Sequence, residues 1–196
     1  MKGGQGPLAK TLRPSPRDFR NNLSLADGGK LTAKYEDSKV FQEMRLYQRQ
    51  VSRPKAEEIL RRGQYGVLSL SAGDDYGYGV PLSYVFQGNS IYLHCAPEGK
   101  KVALLRRNPK VCFSVVTEAE PLPHKFTMAY QSALAFGQVI EVTDQQEKLT
   151  ALLTLVEKYY HDPEDLAKGR EYAAASLDKT LVLRIDIDHL TGKVRR

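Results

Sequence analysis

The chain has 196 residues, of which 41% are hydrophobic and 27% charged. This balance supports one domain with a buried core and excludes a chain that is disordered throughout. Its two cysteines, Cys95 and Cys112, are too few for a disulfide framework and suit a reducing cytoplasm, and the net charge of +6 is spread along the chain. Since no basic stripe is present, nucleic acid is a disfavoured partner.

Residues 1–43 differ in composition from the rest of the chain. They contain five glycines and three prolines among isolated apolar residues, with no sustained period. This composition is typical of a flexible extension, so we expect a solvated tail over 1–43 and a folded domain over 44–196. The first seventeen residues carry basic side chains and no acid, which leaves a targeting peptide as the alternative.

The folded domain begins with a predicted helix between Ser52, which can cap its first turn, and Gly63, which ends it. Three strand-like runs follow, separated by turns rich in glycine, aspartate and asparagine. These runs cover residues 65–71, 78–86 and 90–95. No apolar run approaches the roughly 18 residues that a membrane-spanning helix needs, so no membrane partner is expected.

The second half of the chain alternates predicted helices and strands. We expect a short helix at 100–107, strands at 111–117 and 129–142, a long helix from Asp144, a polar helix at 162–176 and a closing strand from Leu181. The long helix carries its apolar stripe at Leu149, Leu152, Leu153, Val156 and Tyr160. Consecutive hairpins favour antiparallel pairing, and about six strands with peripheral helices indicate a small, mainly β barrel.

Several motifs with known chemistry fail in their context. The glycine-rich segment from Gly73 to Gly79 precedes a strand instead of a helix, so it is a hairpin turn and not a dinucleotide-binding loop. His94 and Cys95 are neighbours on one strand, so their side chains point to opposite faces and cannot share a metal ion. No metal site is expected.

The informative stretch runs from His94 to Lys101, where a strand ends and a helix begins with two lysines. Lys100 and Lys101 oppose the helix dipole unless an anion lies between them, so this turn is a candidate anion site. Two solvated lysines on an exposed helix are the alternative. His94 shares a face with Tyr92, while Leu93 and Cys95 take the other face, and a packed structural histidine remains the alternative to a functional one.

Six segments together resemble the nitroimidazole-resistance flavoproteins, which belong to the pyridoxamine 5'-phosphate oxidase-like family. The resemblance extends in order from about Met44 to Lys193. The segments are Tyr65-Gly-Val-Leu-Ser69, Tyr78-Gly-Val-Pro-Leu-Ser-Tyr84, Ile91-Tyr-Leu-His-Cys-Ala96 with Gly99 and Lys101, Arg107-Asn-Pro-Lys-Val-Cys-Phe113, Ser132-Ala-Leu-Ala-Phe-Gly137 and His189-Leu-Thr-Gly-Lys193.

This resemblance implies a six-stranded antiparallel split β-barrel with peripheral helices, a homodimer, and FMN bound at the dimer interface. It also implies that His94 acts near the substrate and that Lys100 and Lys101 hold the phosphate. The implied cofactor contacts are Gly79, Val80, Pro81, Leu82, Ser83, His94, Cys95, Lys100, Lys101 and Ser132.

One departure qualifies the resemblance. The nitroimidazole-resistance subgroup usually reads Gly-His-Lys where this chain has Gly99-Lys100-Lys101, and the extra lysine resembles the wider oxidase pattern. Three functions stay open. They are an FMN-dependent reductase that takes electrons from NAD(P)H or another reductant to a small electron-poor substrate, a non-catalytic flavin-binding or sensing protein, and a relative that binds haem or a deazaflavin.

Overall fold

A computed structural model of the chain describes residues 24–26, 30–32, 41–73 and 76–196. Contacts divide the chain into one unit over residues 1–42 and a second over residues 43–196. In the first unit, β1 (Ser24–Ala26) and β2 (Lys30–Thr32) pair as antiparallel strands. The expected flexible extension over 1–43 and the turn at Asp74 and Asp75 lie mostly outside the described residues.

The second unit contains four helices and eight strands among its described residues. The helices are α1 (Arg53–Arg62), α2 (Lys100–Arg107), α3 (Gln145–Tyr159) and α4 (Pro163–Ala175). The strands are β3 (Gln50–Val51), β4 (Gly66–Leu70), β5 (Tyr78–Leu82), β6 (Val85–Gln87), β7 (Ser90–Cys95), β8 (Lys110–Leu122), β9 (Thr127–Glu141) and β10 (Leu181–Arg195). Among the described residues, no helix is long and apolar enough to cross a membrane.

The strands form one antiparallel sheet in the order β5-β4-β8-β9-β10-β7-β6, and β3 pairs with β10. The prediction of one continuous strand over 78–86 is wrong. Ser83 and Tyr84 divide this segment into β5 and β6, which lie at opposite edges of the sheet. Three Cα–Cα steps join Leu82 to Val85 and span at most about 11 Å, so the sheet must curl until its edges are neighbours. Ladder hydrogen bonds between these two edges are absent among the described residues, which leaves a split barrel.

The first hydrophobic core fills the inside of the curled sheet. Alternate side chains of β4, β7, β8, β9 and β10 point inward, as a half-buried sheet requires, and α1 contributes Ile59 and Leu60. The ring of Tyr84 meets that of Phe113 edge-on, with centroids 4.9 Å apart. The Tyr84 hydroxyl donates to the Leu60 carbonyl over 2.5 Å, so this buried phenol is hydrogen-bonded.

A second core lies where α3 and α4 pack on the outer face of the sheet, against Val85 and Val182. Both helices start at aspartate caps, since Asp144 accepts from the Glu147 amide and Asp162 from the Glu164 amide. The apolar stripe predicted for α3 is rotated in the structure. Its buried residues are Lys148, Ala151, Leu152 and Leu155.

The predicted bounds of β7 and α2 are confirmed, whereas three later strands are longer than predicted. β8 and β9 pair along almost their full lengths to form a hairpin that continues to Leu122 and Thr127. β10 continues past a bulge between Ile187 and His189 and keeps pairing with β9 as far as Arg195. These extensions are polar and show no alternation of apolar residues, so the sequence does not indicate them. Their backbone groups are nevertheless satisfied, because the strands pair with each other without burial of the side chains.

Candidate functional site

The start of α2 presents backbone amides and two lysines at the end of β7. Gly99 has a φ of +115°, which side chains rarely tolerate, and it lets the chain turn from β7 into the helix. The first intrahelical hydrogen bond joins the Ala103 amide to the Gly99 carbonyl, so the preceding amides point out of the helix end. The first turn contains no acidic residue. This end of α2 therefore has the chemistry of an anion site.

The two lysines extend to different neighbours. Lys100 Nζ lies 5.1 Å from the centroid of the Tyr78 ring, at the start of β5. Lys101 lies beside the end of β7, where its charge acts on both His94 and Cys95. The two ammonium groups thus flank the helix start, one towards β5 and one towards β7.

His94 and Cys95 take opposite faces of β7, as predicted. Leu93 and Cys95 face the inner core, and His94 lies on the outer face with Tyr92. Partial desolvation of the exposed ring, helped by the charge of Lys101, lowers the pKa of His94 from its ordinary value of 6.5. The imidazole is therefore neutral at pH 7 and can donate or accept a hydrogen bond. Burial raises the pKa of the Cys95 thiol, which keeps it protonated.

His94 opens into a cavity of about 670 Å³ between the sheet and the pair α3–α4. From the sheet side, the wall includes Ser83 and Thr180 as well as His94. The helices contribute apolar and aromatic residues, with one acid and one base. These are Leu152, Leu155, Val156, Tyr159, Tyr160, Asp165, Lys168, Gly169, Tyr172, Ala173 and Ser176.

The segment from Gly79 to Ser83 connects the α2 start to this cavity. It begins beside the Lys100–Tyr78 contact and ends at Ser83 in the cavity wall, about 13 Å further along the chain. β5 is an edge strand that pairs only with β4 among the described residues. An edge strand has backbone groups directed away from its partner, and Pro81 is tolerated there because it has no amide hydrogen to pair. Gly79, Val80, Pro81 and Leu82 thus offer backbone groups to a ligand.

Two residues at the end of α3 hold the corner where β5 ends. The Tyr159 hydroxyl accepts from the Tyr84 amide over 2.9 Å and donates to the Gln64 carbonyl over 2.6 Å. Lys158 Nζ donates to the Tyr84 carbonyl over 2.8 Å and lies 3.7 Å from the centroid of the Tyr84 ring. The corner that carries Ser83 is therefore fixed by side chains 74 and 75 residues away from Tyr84 in sequence.

Ser132 lies apart from the other predicted site residues of the same chain. It sits on β9 opposite Lys193 of β10, whereas His94 sits opposite Val182 of the same strand. Eleven residues of β10 separate these two registers, which is roughly 35 Å of strand. Ser132 also faces the outer side of the sheet, where Val116 pairs with it on β8. Within one chain, Ser132 does not join the group at the end of β7.

The structure thus brings Gly79–Ser83, His94, Cys95, Lys100 and Lys101 into one continuous region. Sequence reasoning missed the cavity, the Lys100–Tyr78 contact and the corner held by Lys158 and Tyr159. A signal for the cavity exists in α3, where Leu152, Leu155, Val156 and Tyr159 follow helical spacing. The partner helix α4 shows no comparable stripe, since Ala173 is its one buried residue.

Comparison with known proteins identifies a family and several similar folds. The model of the family described as pyridoxamine 5'-phosphate oxidase matches residues 52–194. No curated protein matches the chain.

Solved structures share the fold at low sequence identity. A protein described as a candidate 5-nitroimidazole antibiotic resistance protein from Bacteroides thetaiotaomicron is 23% identical with a TM-score of 0.62, over 74% of this chain and 86% of that chain. The flavocytochrome Anf3 from Azotobacter vinelandii is 17% identical with a TM-score of 0.66, over 79% of this chain and 72% of that chain. An FAD-binding protein from Mesorhizobium loti is 20% identical with a TM-score of 0.54, over 76% of this chain and 98% of that chain.

Proposed function

Because the chain belongs to the pyridoxamine 5'-phosphate oxidase family, we propose that it binds FMN and uses it to reduce a small electron-poor organic molecule. The observation that carries this proposal is the start of α2, where helix amides and two lysines meet and the first turn contains no acid. A single phosphate group suits this charge and these donors. The similar structures described as a flavocytochrome and an FAD-binding protein support a flavin ligand.

The residues present fit both the phosphate end and the ring end of such a cofactor. Lys100, Lys101 and the first amides of α2 would hold the phosphate, and the backbone from Gly79 to Ser83 would hydrogen-bond the polar edge of the ring. Cys95 would lie beside the bound cofactor at the end of β7. The bound flavin would supply the redox chemistry, while the protein binds and orients the reactants.

His94 is proposed to contact the substrate. Its imidazole lies at the cavity wall and is neutral at pH 7, so it can donate a hydrogen bond to an acceptor oxygen or nitrogen. Cofactor reduction by NAD(P)H or another reductant, followed by oxidation by a nitroaromatic compound, would demonstrate the reaction. A protein that binds FMN and undergoes neither step would be a flavin-binding or sensing protein, and the proposed reductase function would be rejected.

A second copy of the chain is proposed to complete the site with Ser132. The outer face of β8 and β9 around Ser132 carries exposed apolar side chains, with Val116 58% and Leu134 38% exposed. A paired copy would cover this face and could deliver its Ser132 to the site that the same residue cannot reach within its own chain.

The phosphate assignment is tested by Lys101→Ala with FMN and riboflavin. A charge-assisted hydrogen bond to phosphate contributes about 1.5–3 kcal/mol, so the dissociation constant for FMN should rise by about ten- to a hundred-fold. Riboflavin has no phosphate and should bind both proteins equally. Lys110→Ala, beyond the other end of α2, is the matched control and should leave both ligands unaffected. Equal losses for FMN and riboflavin in Lys101→Ala would contradict the assignment.

A further inference from the structure

We propose that the cavity between α3, α4 and the end of β7 is a substrate pocket for an uncharged, planar aromatic molecule of two or three rings. This inference rests on the proposed function, since Ser83 and His94 place one end of the cavity beside the proposed cofactor contacts. It assigns a substrate class that the anion site at α2 does not specify.

The lining of the cavity favours a flat apolar ligand. Leu152, Leu155 and Val156 of α3 line the cavity together with Ala173 of α4, which belongs to the same packed cluster. Tyr159, Tyr160 and Tyr172 add three aromatic rings to the wall. Aliphatic walls combined with aromatic rings bind planar rings by stacking and edge contacts, while a few polar groups fix the ligand's orientation.

The charge of the lining disfavours an anionic ligand. Among the described residues that line the cavity, Asp165 and Lys168 carry opposite full charges, and Lys168 Nζ is paired with Glu164 over 2.5 Å. His94 adds no positive charge at pH 7, because partial desolvation and Lys101 lower its pKa. A phosphate or carboxylate would enter this cavity without an available cation, at a desolvation cost that an uncharged ring avoids.

The size of the cavity sets the number of rings. A cavity of about 150 Å³ is sufficient for one benzene ring, and this cavity measures about 670 Å³. A single five- or six-membered ring would leave most of the wall without contacts, which forfeits dispersion energy. Two or three fused rings contact much more of the wall and leave one polar edge for His94 and Ser83.

Three stable probes separate size from charge. Naphthalene-2-carboxamide is an uncharged two-ring compound, naphthalene-2-carboxylate is its anionic counterpart, and benzamide is the one-ring analogue. Binding to the full-length protein purified with its flavin is measured by equilibrium dialysis at pH 7. We expect the naphthalene amide to bind at least tenfold more tightly than either of the other two compounds. Equal or tighter binding of the carboxylate or of benzamide overturns the proposal.

Substitution of two adjacent alanines of α4 tests whether the naphthalene amide binds in this cavity. Ala173 lines the cavity and is 4% exposed, while Ala174 is exposed on the same helix. Ala173→Leu should fill the cavity and weaken the naphthalene amide at least tenfold, and Ala174→Leu should leave its affinity unchanged. If Ala173→Leu does not fold, Ser176→Leu fills the same cavity from the end of α4 and carries the same expectation. Unchanged affinity in the folded filling variant overturns the proposal.

The readouts keep this inference separate from the proposed function. Flavin absorbance reports the cofactor, and dialysis reports the aromatic probe. Release of flavin by the naphthalene amide would make the cavity part of the cofactor site and would reject a separate substrate pocket. Purification without flavin, together with probe binding that Ala173→Leu abolishes, would reject the cofactor and retain the aromatic pocket.

Discussion

Lys158 and Tyr159 hold one peptide segment from neighbouring positions of α3. The Tyr159 hydroxyl accepts from the Tyr84 amide, and the Lys158 ammonium donates to the Tyr84 carbonyl and lies over the Tyr84 ring. A buried backbone group that loses its partner costs about 1–3 kcal/mol, so this corner depends on the two side chains. Burial lowers the pKa of Lys158 to about 8, because the charged ammonium is partly desolvated.

The lowered pKa of Lys158 predicts a pH dependence of stability. The unfolded chain retains the Lys158 proton up to its ordinary pKa of 10.5, whereas the folded chain releases it near 8. The unfolded state therefore binds more protons between these values, and the free energy of unfolding gains a contribution that rises with pH there. We expect wild type to gain stability relative to Lys158→Met between pH 7 and pH 9.5, measured by urea denaturation. Lys179→Met, at an exposed lysine, should show no such difference.

The opposite outcome has a clear meaning. If wild type loses stability relative to Lys158→Met as the pH rises, then the Tyr84 carbonyl and ring stabilise the charged ammonium more than burial penalises it. Other groups that titrate in this range are common to both proteins and cancel in the comparison.

The packing of α3 on α4 depends on one close contact. A Cβ atom at Gly169 would lie 2.6 Å from Val156 Cγ1, which is closer than side chains approach. Valine has little rotameric freedom in a helix and cannot turn away. Arg170 pairs with Glu157 one residue further along each helix, with a separation of 2.9 Å. This contact sets the spacing of the two helices and one boundary of the cavity.

Gly169→Ala tests the contact in two backgrounds. In the natural sequence, the added methyl should lower the free energy of unfolding by about 1–3 kcal/mol through overpacking. In Val156→Ala, the same change should instead raise the stability by up to about 1 kcal/mol, because alanine is the better helix former. Chemical denaturation of the four proteins gives the coupling energy. Stabilisation of equal size in both backgrounds would show that the helices do not touch at Gly169.

At the scale of the whole molecule, the outer side of the sheet has two different halves. The half formed by β6, β7 and the start of β10 lies under α3 and α4. The half formed by β8 and β9 exposes Val116 and Leu134 beside Ser132. An apolar sheet face of this kind favours association with a second copy, and the proposed dimer uses this face.

The proposed dimer is tested by sedimentation of the purified protein. We expect the natural chain to sediment as a dimer and Leu134→Arg to sediment as a monomer, because a charge in an apolar interface would be left unpaired. Tyr172→Arg changes a side chain that is 75% exposed on α4 and should remain dimeric. A monomeric natural chain that still holds one FMN per subunit would contradict a site completed by two copies.

Local chemistry was sufficient to predict several elements from the sequence. β7 and α2 have the bounds that alternation, helical spacing and Asn108-Pro109 indicate. The aspartate caps of α3 and α4 are also local signals, because a cap needs only its own side chain and the next three amides. The pair of lysines after Gly99 likewise indicated the proposed anion site, since a helix start and its charges lie within a few residues of sequence.

Long-range contacts decided the remaining features. The sequence determined that residues 78–86 are strand-like, but only the tertiary structure divides them at Ser83 and Tyr84, because their two halves pair with strands at opposite edges. The division is held by Lys158 and Tyr159, which no local pattern connects with that corner. The cavity and the separation of Ser132 from His94 have the same origin. A hydrophobic period reports which face of an element is buried, whereas the partner on that face is set by the fold of the whole chain.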